Sequence, residues 1–141
     1  RSTLFPYTTL FRSRTGASEM VGKIIPELNK KIHALAIRVP VGIVSLIDLS
    51  FTTKKALSRD AINAAFTKAA QHSMKGIISV TKEELVSSDF IGSPFSVTID
   101  GELTDVVGNM GKVFGWYDNE WGYSERLKDF LLYADSLKRQ K

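Results

Sequence analysis

The residues from Trp116 to Ser124 concentrate aromatic, carboxylate and amide side chains in one short segment. Within it, Asn119 carries a hydrogen-bond donor and an acceptor on the same amide, which is the combination needed to recognise another carboxamide. The alternative is that Asn119 forms a turn beside Asp118. The segment leads directly into an amphipathic pattern, so either role would place Asn119 just before a helix.

Two other positions could bind an anion. Thr15-Gly16 precedes a predicted helix, where free backbone N–H groups and the positive end of the helix dipole favour negative charge. Ordinary capping of the helix by Thr15 explains the same pair. Arg38 shares a predicted strand face with alanines, which leaves room for its guanidinium to bind phosphate through paired N–H donors. An arginine that reaches from the sheet to solvent is the alternative for Arg38.

The side chains that usually perform covalent or metal chemistry are scarce. The chain has no cysteine and only two histidines, His33 and His72, so disulfides and thiolate metal sites are excluded and a zinc site is not expected. Neither histidine has a cysteine to activate, and we interpret both as structural or surface residues. No glycine-rich dinucleotide fingerprint follows a strand. We therefore predict no catalytic residue and no metal ligand in this chain.

Three segments have the apolar period of a helix. They run from Thr15 to near Asn29, from Ser58 to near His72, and through the terminal stripe formed by Leu127, Phe130, Leu131, Ala134 and Leu137. Thr15 and Ser58 are suited to cap the first two helices. A further turn of helix is expected at residues 81–84, and residues 87–90 are expected to form a packed loop.

Alternating apolar residues predict strands at 33–39 and 43–51, which we expect to pair in antiparallel fashion, and an apolar run predicts a short strand at 76–80. Three further apolar stretches predict an antiparallel meander with turns at Asp100-Gly101 and Gly108-Asn109. The stretches are residues 95–100, 104–107 and 112–117. Helical and hairpin connections together indicate an α+β fold with a mixed, largely antiparallel sheet and helices packed on one face.

The length and composition of the chain limit the classes of protein to which it can belong. With 141 residues, 43% hydrophobic and 24% charged, the chain suits one soluble domain. No apolar run reaches the roughly 18 residues that span a bilayer, so neither a membrane nor secretion is expected and the cytoplasm is the expected compartment. Residues 1–14 contain Thr-Leu-Phe twice and no acid, which indicates a non-native tail of adaptor or vector type. A natural hydrophobic arm is the alternative.

The formal net charge of +4 does not require a nucleic-acid partner. Arg1, Arg12 and Arg14 lie in the acid-free segment. The remaining excess gathers at the end of the terminal helix, where basic residues complement the helix dipole. We therefore expect no nucleic-acid binding.

Several segments resemble one enzyme family in combination. The run Trp-Tyr-Asp-Asn-Glu-Trp-Gly-Tyr-Ser at 116–124 is similar to the signature near the C-terminus of glyceraldehyde-3-phosphate dehydrogenases. Thr-Gly-Ala at 15–17, with Val-Gly-Lys and Ile-Pro-Glu-Leu after it, and Ala-Ile-Arg-Val-Pro at 36–40 resemble two further family segments. The resemblance covers residues 15–141 and corresponds to the C-terminal part of the catalytic domain. Arg14 departs from the small hydroxyl residue that is usual there.

The resemblance implies a piece of an NAD-dependent, phosphorylating glycolytic enzyme that is a homotetramer. It implies that Thr15, Gly16 and Arg38 bind the phosphate of glyceraldehyde 3-phosphate and inorganic phosphate, and that Asn119 contacts the nicotinamide of NAD. Tyr123 would lie nearby, although packing at the helix start explains it equally well. The family's catalytic cysteine, histidine and Rossmann domain would precede this chain, so we expect the chain alone to be inactive. The terminal stripe, which in the family packs against the cofactor domain, is then expected to be exposed.

Two other interpretations remain open. Erythrose-4-phosphate dehydrogenase has a similar C-terminal motif, but Tyr117 and Tyr123 favour the glyceraldehyde enzyme. A small basic module that binds RNA or a membrane surface is suggested only by the sequence pI of about 9.4.

Overall fold

The computed structural model describes residues 11–14 and 16–139, and it divides the chain into two compact units, residues 1–42 and residues 43–141. In the first unit, strand β1 (Phe11–Arg14) pairs in antiparallel fashion with strand β2 (Leu35–Arg38). Helix α1 (Ala17–Ile24) and a 3-10 turn (Pro26–Leu28) connect them. β1 thus lies in the segment whose interpretation as a non-native tail stays a prediction.

The second unit is built around a four-stranded sheet with the order β3-β6-β5-β4. Only β4 and β5 are parallel, and the other two pairs are antiparallel, which confirms the mixed α+β fold. The elements are β3 (Ser45–Thr52), α2 (Arg59–Gln71), β4 (Ile78–Thr81), a 3-10 turn (Ser87–Phe90), β5 (Val97–Val107), β6 (Met110–Tyr117) and α3 (Trp121–Lys138).

Helix α2 covers one face of this sheet. Its start is capped as predicted, because the Ser58 hydroxyl accepts a hydrogen bond from the Ala61 N–H at 3.1 Å. Ile62 of α2 is buried, as are Ile99 of β5 and Val113 of β6. These side chains belong to the core, and their burial stabilises the unit.

Glycines in β6 allow large side chains to lie directly over the strand on that face. A Cβ at Gly111 would stand 2.7 Å from Cζ of Phe51, and a Cβ at Gly115 would collide with the Val97 side chain. Because neighbouring side chains occupy the places where these Cβ atoms would be, β6 needs glycine for close packing rather than for an unusual backbone angle.

The opposite face of the sheet carries polar and aromatic residues. Trp116 is stacked on Phe90 of the second 3-10 turn, with ring centroids 5.6 Å apart. The Trp116 indole N–H donates to the Asp100 carboxylate at 3.2 Å, and Asp100 is only 3% exposed. The stacking of Trp116 on Phe90 ties the connection between β4 and β5 to the sheet.

The predicted turn at Asp100-Gly101 is wrong, because β5 continues through it as one strand with a register shift between Asp100 and Asp105. Side chains satisfy the backbone groups that this bulge frees from the ladder. Asp100 Oδ1 accepts from the N–H groups of Glu102 and Leu103, and Asn63 of α2 donates to the Gly101 carbonyl at 2.9 Å. The other predicted turn is confirmed, with Gly108 at a φ of 63°.

The structure also corrects two other expectations. β2 and β3 are not partners, since β2 pairs with β1 and β3 pairs with β6. Alternation defines the faces of a strand but carries no information on its neighbour. The extra helical turn was predicted a few residues too early, because a 3-10 turn forms instead at Ser87–Phe90, where the Asp89 carboxylate accepts from the Val86 N–H at 2.8 Å.

Helix α3 forms where the terminal stripe predicts it, and the stripe is exposed as expected. Phe130 and Leu131 are 64% and 67% exposed. Among the helices of the described residues, none is long and apolar enough to cross a membrane.

Candidate functional site

The turn between β6 and α3 is organised by the carboxylate of Asp118. One oxygen accepts hydrogen bonds from the N–H groups of Glu120 and Trp121, at 3.1 and 2.9 Å, and the other accepts from the N–H of Gly92 at 2.9 Å. The Trp121 N–H, followed by that of Gly92, holds the pKa of Asp118 below its ordinary value of 3.8, although burial acts in the opposite direction. Asp118 is therefore a buried structural anion, and it caps the start of α3.

Asn119, the next residue, is exposed at the surface of this turn. Its Oδ1 accepts a hydrogen bond of 3.0 Å from the hydroxyl of Ser45, the first residue of β3. Ser45 reaches this position because β3 and β6 are paired, with Ser45 opposite Tyr117. The contact leaves the N–H groups of the Asn119 amide available to a ligand.

The backbone just before Ser45 is strained. Val44 has a φ of 71°, in the left-handed region that β-branched residues rarely adopt, and it is buried. Strain of this kind persists only where the surrounding structure imposes it. The strained residue directly precedes β3, whose first residue, Ser45, contacts Asn119.

Asn119 and Tyr123 line the same cleft, which has a volume of about 240 Å³. Tyr123 lies in the first turn of α3 and is 65% exposed. The cleft is lined by Ser96, Tyr117, Asp118, Asn119, Gly122, Tyr123 and Arg126. The structure therefore brings the two residues predicted to contact a cofactor together at one opening.

The placement of Tyr123 depends on close packing at Gly122. A Cβ at Gly122 would lie 2.8 Å from the carbonyl oxygen of Phe95, the residue two positions before β5. This approach is possible only without a side chain. The first turn of α3 is thereby held against the backbone that enters β5.

Arg126 also lines the cleft. Its guanidinium donates to the Gly76 carbonyl and the Ser96 hydroxyl, both at 3.2 Å, and forms an ion pair of 2.7 Å with Asp129. Its Nε is buried and has no hydrogen-bond partner in the part of the chain that the structure describes. Arg126 thus fastens α3 to the backbone before β4 and before β5.

The predicted phosphate-binding residues belong to the first unit. Gly16 is the N-terminal cap of α1 and is exposed. Thr15, which we predict as the capping and phosphate-binding residue, lies outside the described residues. Arg38 is the last residue of β2 and is exposed. An exposed glycine at a helix start is compatible with anion binding.

The cleft is suited to binding and orienting a polar group rather than to covalent chemistry. Asn119 and Tyr123 are exposed residues that line it and carry an amide and a hydroxyl donor, and the chain has no cysteine that could act as a nucleophile. The Asp118 carboxylate is engaged with three backbone N–H groups and cannot serve as a general base.

Sequence reasoning did not single out Ser45, Asp118 or Arg126 as site residues. Arg126 had a usable signal, because it lies three positions after Tyr123 in a predicted helix and hence on the same helical face. Asp118 also had one, since an aspartate just before a helix commonly accepts from the free N–H groups there. Ser45 had none, since its contact with Asn119 joins residues 74 positions apart.

Comparison with known proteins assigns the chain to a family. The sequence profile described as "Glyceraldehyde 3-phosphate dehydrogenase, C-terminal domain" matches residues 4–119. The match begins within residues 1–14, whose interpretation as a non-native tail stays a prediction.

Individual relatives agree with this profile. The chain is 44% identical over 124 residues to glyceraldehyde-3-phosphate dehydrogenase 1 of Streptomyces avermitilis, covering 87% of this chain and 37% of that protein. It is 43% identical over 123 residues to the cytosolic enzyme of Chlamydomonas reinhardtii, covering 86% and 36%. With the chloroplastic enzyme of Arabidopsis thaliana it is 47% identical over 116 residues, covering 82% and 29%. The chain thus spans well under half the length of these relatives. It belongs to the glyceraldehyde-3-phosphate dehydrogenase family, matching the C-terminal domain.

Proposed function

We propose that this chain is part of an NAD-dependent, phosphorylating glyceraldehyde-3-phosphate dehydrogenase and supplies the residues that bind phosphate and orient the nicotinamide. The observation that carries the proposal is the joint exposure of Asn119 and Tyr123 at one cleft in a member of this family. The catalytic thiolate and the rest of the NAD site belong to parts of the enzyme outside this sequence, which has no cysteine.

The residues at the cleft fit the carboxamide end of NAD. Because the Ser45 hydroxyl occupies Oδ1 of Asn119, the amide presents its N–H donors, which match the carbonyl oxygen of a carboxamide. Tyr123 stands beside it with an exposed ring and hydroxyl. When bound, NAD supplies the hydride acceptor. In this scheme Asn119 fixes the orientation of the ring, and Tyr123 limits its movement.

Phosphate binding is assigned to the first unit. The free N–H groups at the start of α1, at Gly16, together with the Thr15 hydroxyl would bind one phosphate at a helix dipole. The Arg38 guanidinium would donate paired N–H groups to phosphate oxygens. These groups would neutralise the charge of glyceraldehyde 3-phosphate and of the inorganic phosphate that releases the acyl product.

The location and assembly of the whole enzyme are also proposals. One relative is named as cytosolic and another as chloroplastic, so membership of the family is compatible with either compartment. We propose that this protein is cytoplasmic and that the complete enzyme is a homotetramer.

Ligand titration followed by NMR tests the binding roles. On the full chain, inorganic phosphate is expected to shift the amide signals of Gly16 and Arg38, and NAD is expected to shift the side-chain signals of Asn119 and Tyr123. Each ligand should leave the other pair of signals in place. If phosphate moves neither Gly16 nor Arg38 while NAD moves neither Asn119 nor Tyr123, the proposed function is wrong.

The purified chain is expected to show no dehydrogenase turnover. It has no thiol to attack the aldehyde, so no NADH should accumulate at 340 nm with glyceraldehyde 3-phosphate, phosphate and NAD. A full-length relative assayed in parallel serves as the positive control. Production of NADH that survives treatment with a thiol-blocking reagent would show that this chain carries its own catalytic group.

A further inference from the structure

We propose that Ser45 is a positioning residue that holds the Asn119 amide in the orientation needed to donate to a carboxamide. This inference rests on the proposed function, because it assigns the means by which the nicotinamide contact is oriented. Ser45 is the first residue of an edge strand, and it contacts Asn119 from outside the segment that contains Asn119.

An exposed asparagine side chain has no intrinsic preference between its two amide orientations. Asn119 is exposed, and the Ser45 hydroxyl donates to its Oδ1 at 3.0 Å. This bond engages the carbonyl side of the amide and directs the N–H groups away from β3. A donor of fixed direction lowers the conformational entropy lost when a ligand binds.

Both partners of this hydrogen bond stand on fixed backbone. Asn119 follows Asp118, whose carboxylate accepts from three backbone N–H groups. Ser45 is paired with Tyr117 and follows Val44, which is buried at a φ of 71°. Because these contacts hold both segments of backbone, the hydroxyl and the amide stand at hydrogen-bonding distance before any ligand arrives.

The same contact contributes little to the stability of the fold. Ser45 is half-buried and Asn119 is exposed, so water can replace the hydrogen bond when it is removed. Loss of the Ser45 hydroxyl should therefore change the orientation of the amide and the affinity for NAD, while the unfolding midpoint stays near that of the wild type. This separation distinguishes a positioning role from a structural one.

The test compares Ser45→Ala, Ser45→Thr and Ser50→Ala in the full chain. Ser50→Ala is the matched control, because Ser50 lies on the same strand, is exposed and is paired with Lys112, five positions further along the strand than Ser45. NMR relaxation gives the order parameter of the Asn119 side-chain amide without ligand. We expect it to fall below about 0.6 in Ser45→Ala and to remain near the wild-type value in Ser45→Thr and Ser50→Ala.

Titration with NAD gives the second readout. The dissociation constant is expected to rise roughly threefold to tenfold in Ser45→Ala, the effect of one hydrogen bond, and to return towards the wild-type value in Ser45→Thr. Unchanged order and unchanged affinity in Ser45→Ala would overturn the inference. If NAD fails to shift the Asn119 signals of the wild type, the nicotinamide contact in the proposed function fails, and the ligand-free order parameters alone decide whether Ser45 holds the amide.

Discussion

Replacing Asp118 with alanine is expected to lower the free energy of unfolding of residues 43–141 by about 3 kcal/mol. The substitution removes the acceptor of three backbone N–H groups, those of Gly92, Glu120 and Trp121. Hydrogen bonds to a charged group are stronger than neutral ones, and the group is buried, so water replaces them poorly. Urea unfolding followed by the fluorescence of Trp116 and Trp121 measures the change.

The Asp118→Asn variant is the matched control for charge. An amide has a single acceptor oxygen, so it can retain the contacts at the start of α3 or the contact with Gly92, but not both. We expect about half of the destabilisation seen with alanine. A loss within about 0.5 kcal/mol in Asp118→Ala, the range of ordinary surface substitutions, would contradict the role assigned to this carboxylate.

The pH dependence identifies the same group. Because folding lowers the pKa of Asp118 below 3.8, its contribution to stability is fully present above that value and is lost as the pH falls through the lower, folded-state pKa. The difference in unfolding free energy between the wild type and Asp118→Asn should therefore be constant near neutrality and shrink on acidification below pH 3.8. If this difference in unfolding free energy stays constant at pH values below 3.8, the protonation of Asp118 is not coupled to folding.

Gly122→Ala is expected to destabilise the unit by about 2 kcal/mol, although alanine is the better helix former. Its Cβ would stand 2.8 Å from the carbonyl oxygen of Phe95, and the obstacle is backbone that cannot rotate away. The gain in helix propensity of about 1 kcal/mol is smaller than the cost of overpacking. Because the first turn of α3 must move outward, the Tyr123 side chain should also leave its place at the cleft.

Ser136→Ala provides the comparison for Gly122→Ala. Ser136 lies near the end of the same helix and is exposed. An alanine at that position should therefore change the free energy of unfolding by less than about 0.5 kcal/mol. Calorimetric or urea unfolding of both variants separates steric conflict from helix propensity. An increase in stability for Gly122→Ala would show that α3 is not held against Phe95.

Elements governed by local chemistry could be predicted from the sequence. Helix α2 begins and ends as predicted, because a capping serine and an apolar stripe act within a few residues of one another. The bulge in β5 could not be predicted. Asp100-Gly101 has the composition of a turn, and the strand continues because side chains of α2, remote in sequence, satisfy the freed backbone groups.

The candidate site also has a part that could be predicted from the sequence and a part that could not. Asn119 and Tyr123 lie together because both belong to one short segment at the start of α3. The partnership of Ser45 with Asn119 depends on the pairing of β3 with β6, and alternation alone does not identify the partner of a strand. Arg126 could be placed on the face of Tyr123, but its bonds to Gly76 and Ser96 needed the arrangement of the sheet.

The pairing of β3 with β6 also bears on the order of events during folding. Strands β5 and β6 are joined by the two residues Gly108 and Asn109, so they can meet almost as soon as the chain collapses. Ser45 and Asn119 are separated by 74 positions, and contacts so distant along the chain form slowly because a large loop must close first. We expect the Asn119 amide to acquire its orientation late, when the edge strand docks. Newly made chains would then pass through a period in which the start of α3 exists but the orientation of the Asn119 amide is not yet fixed.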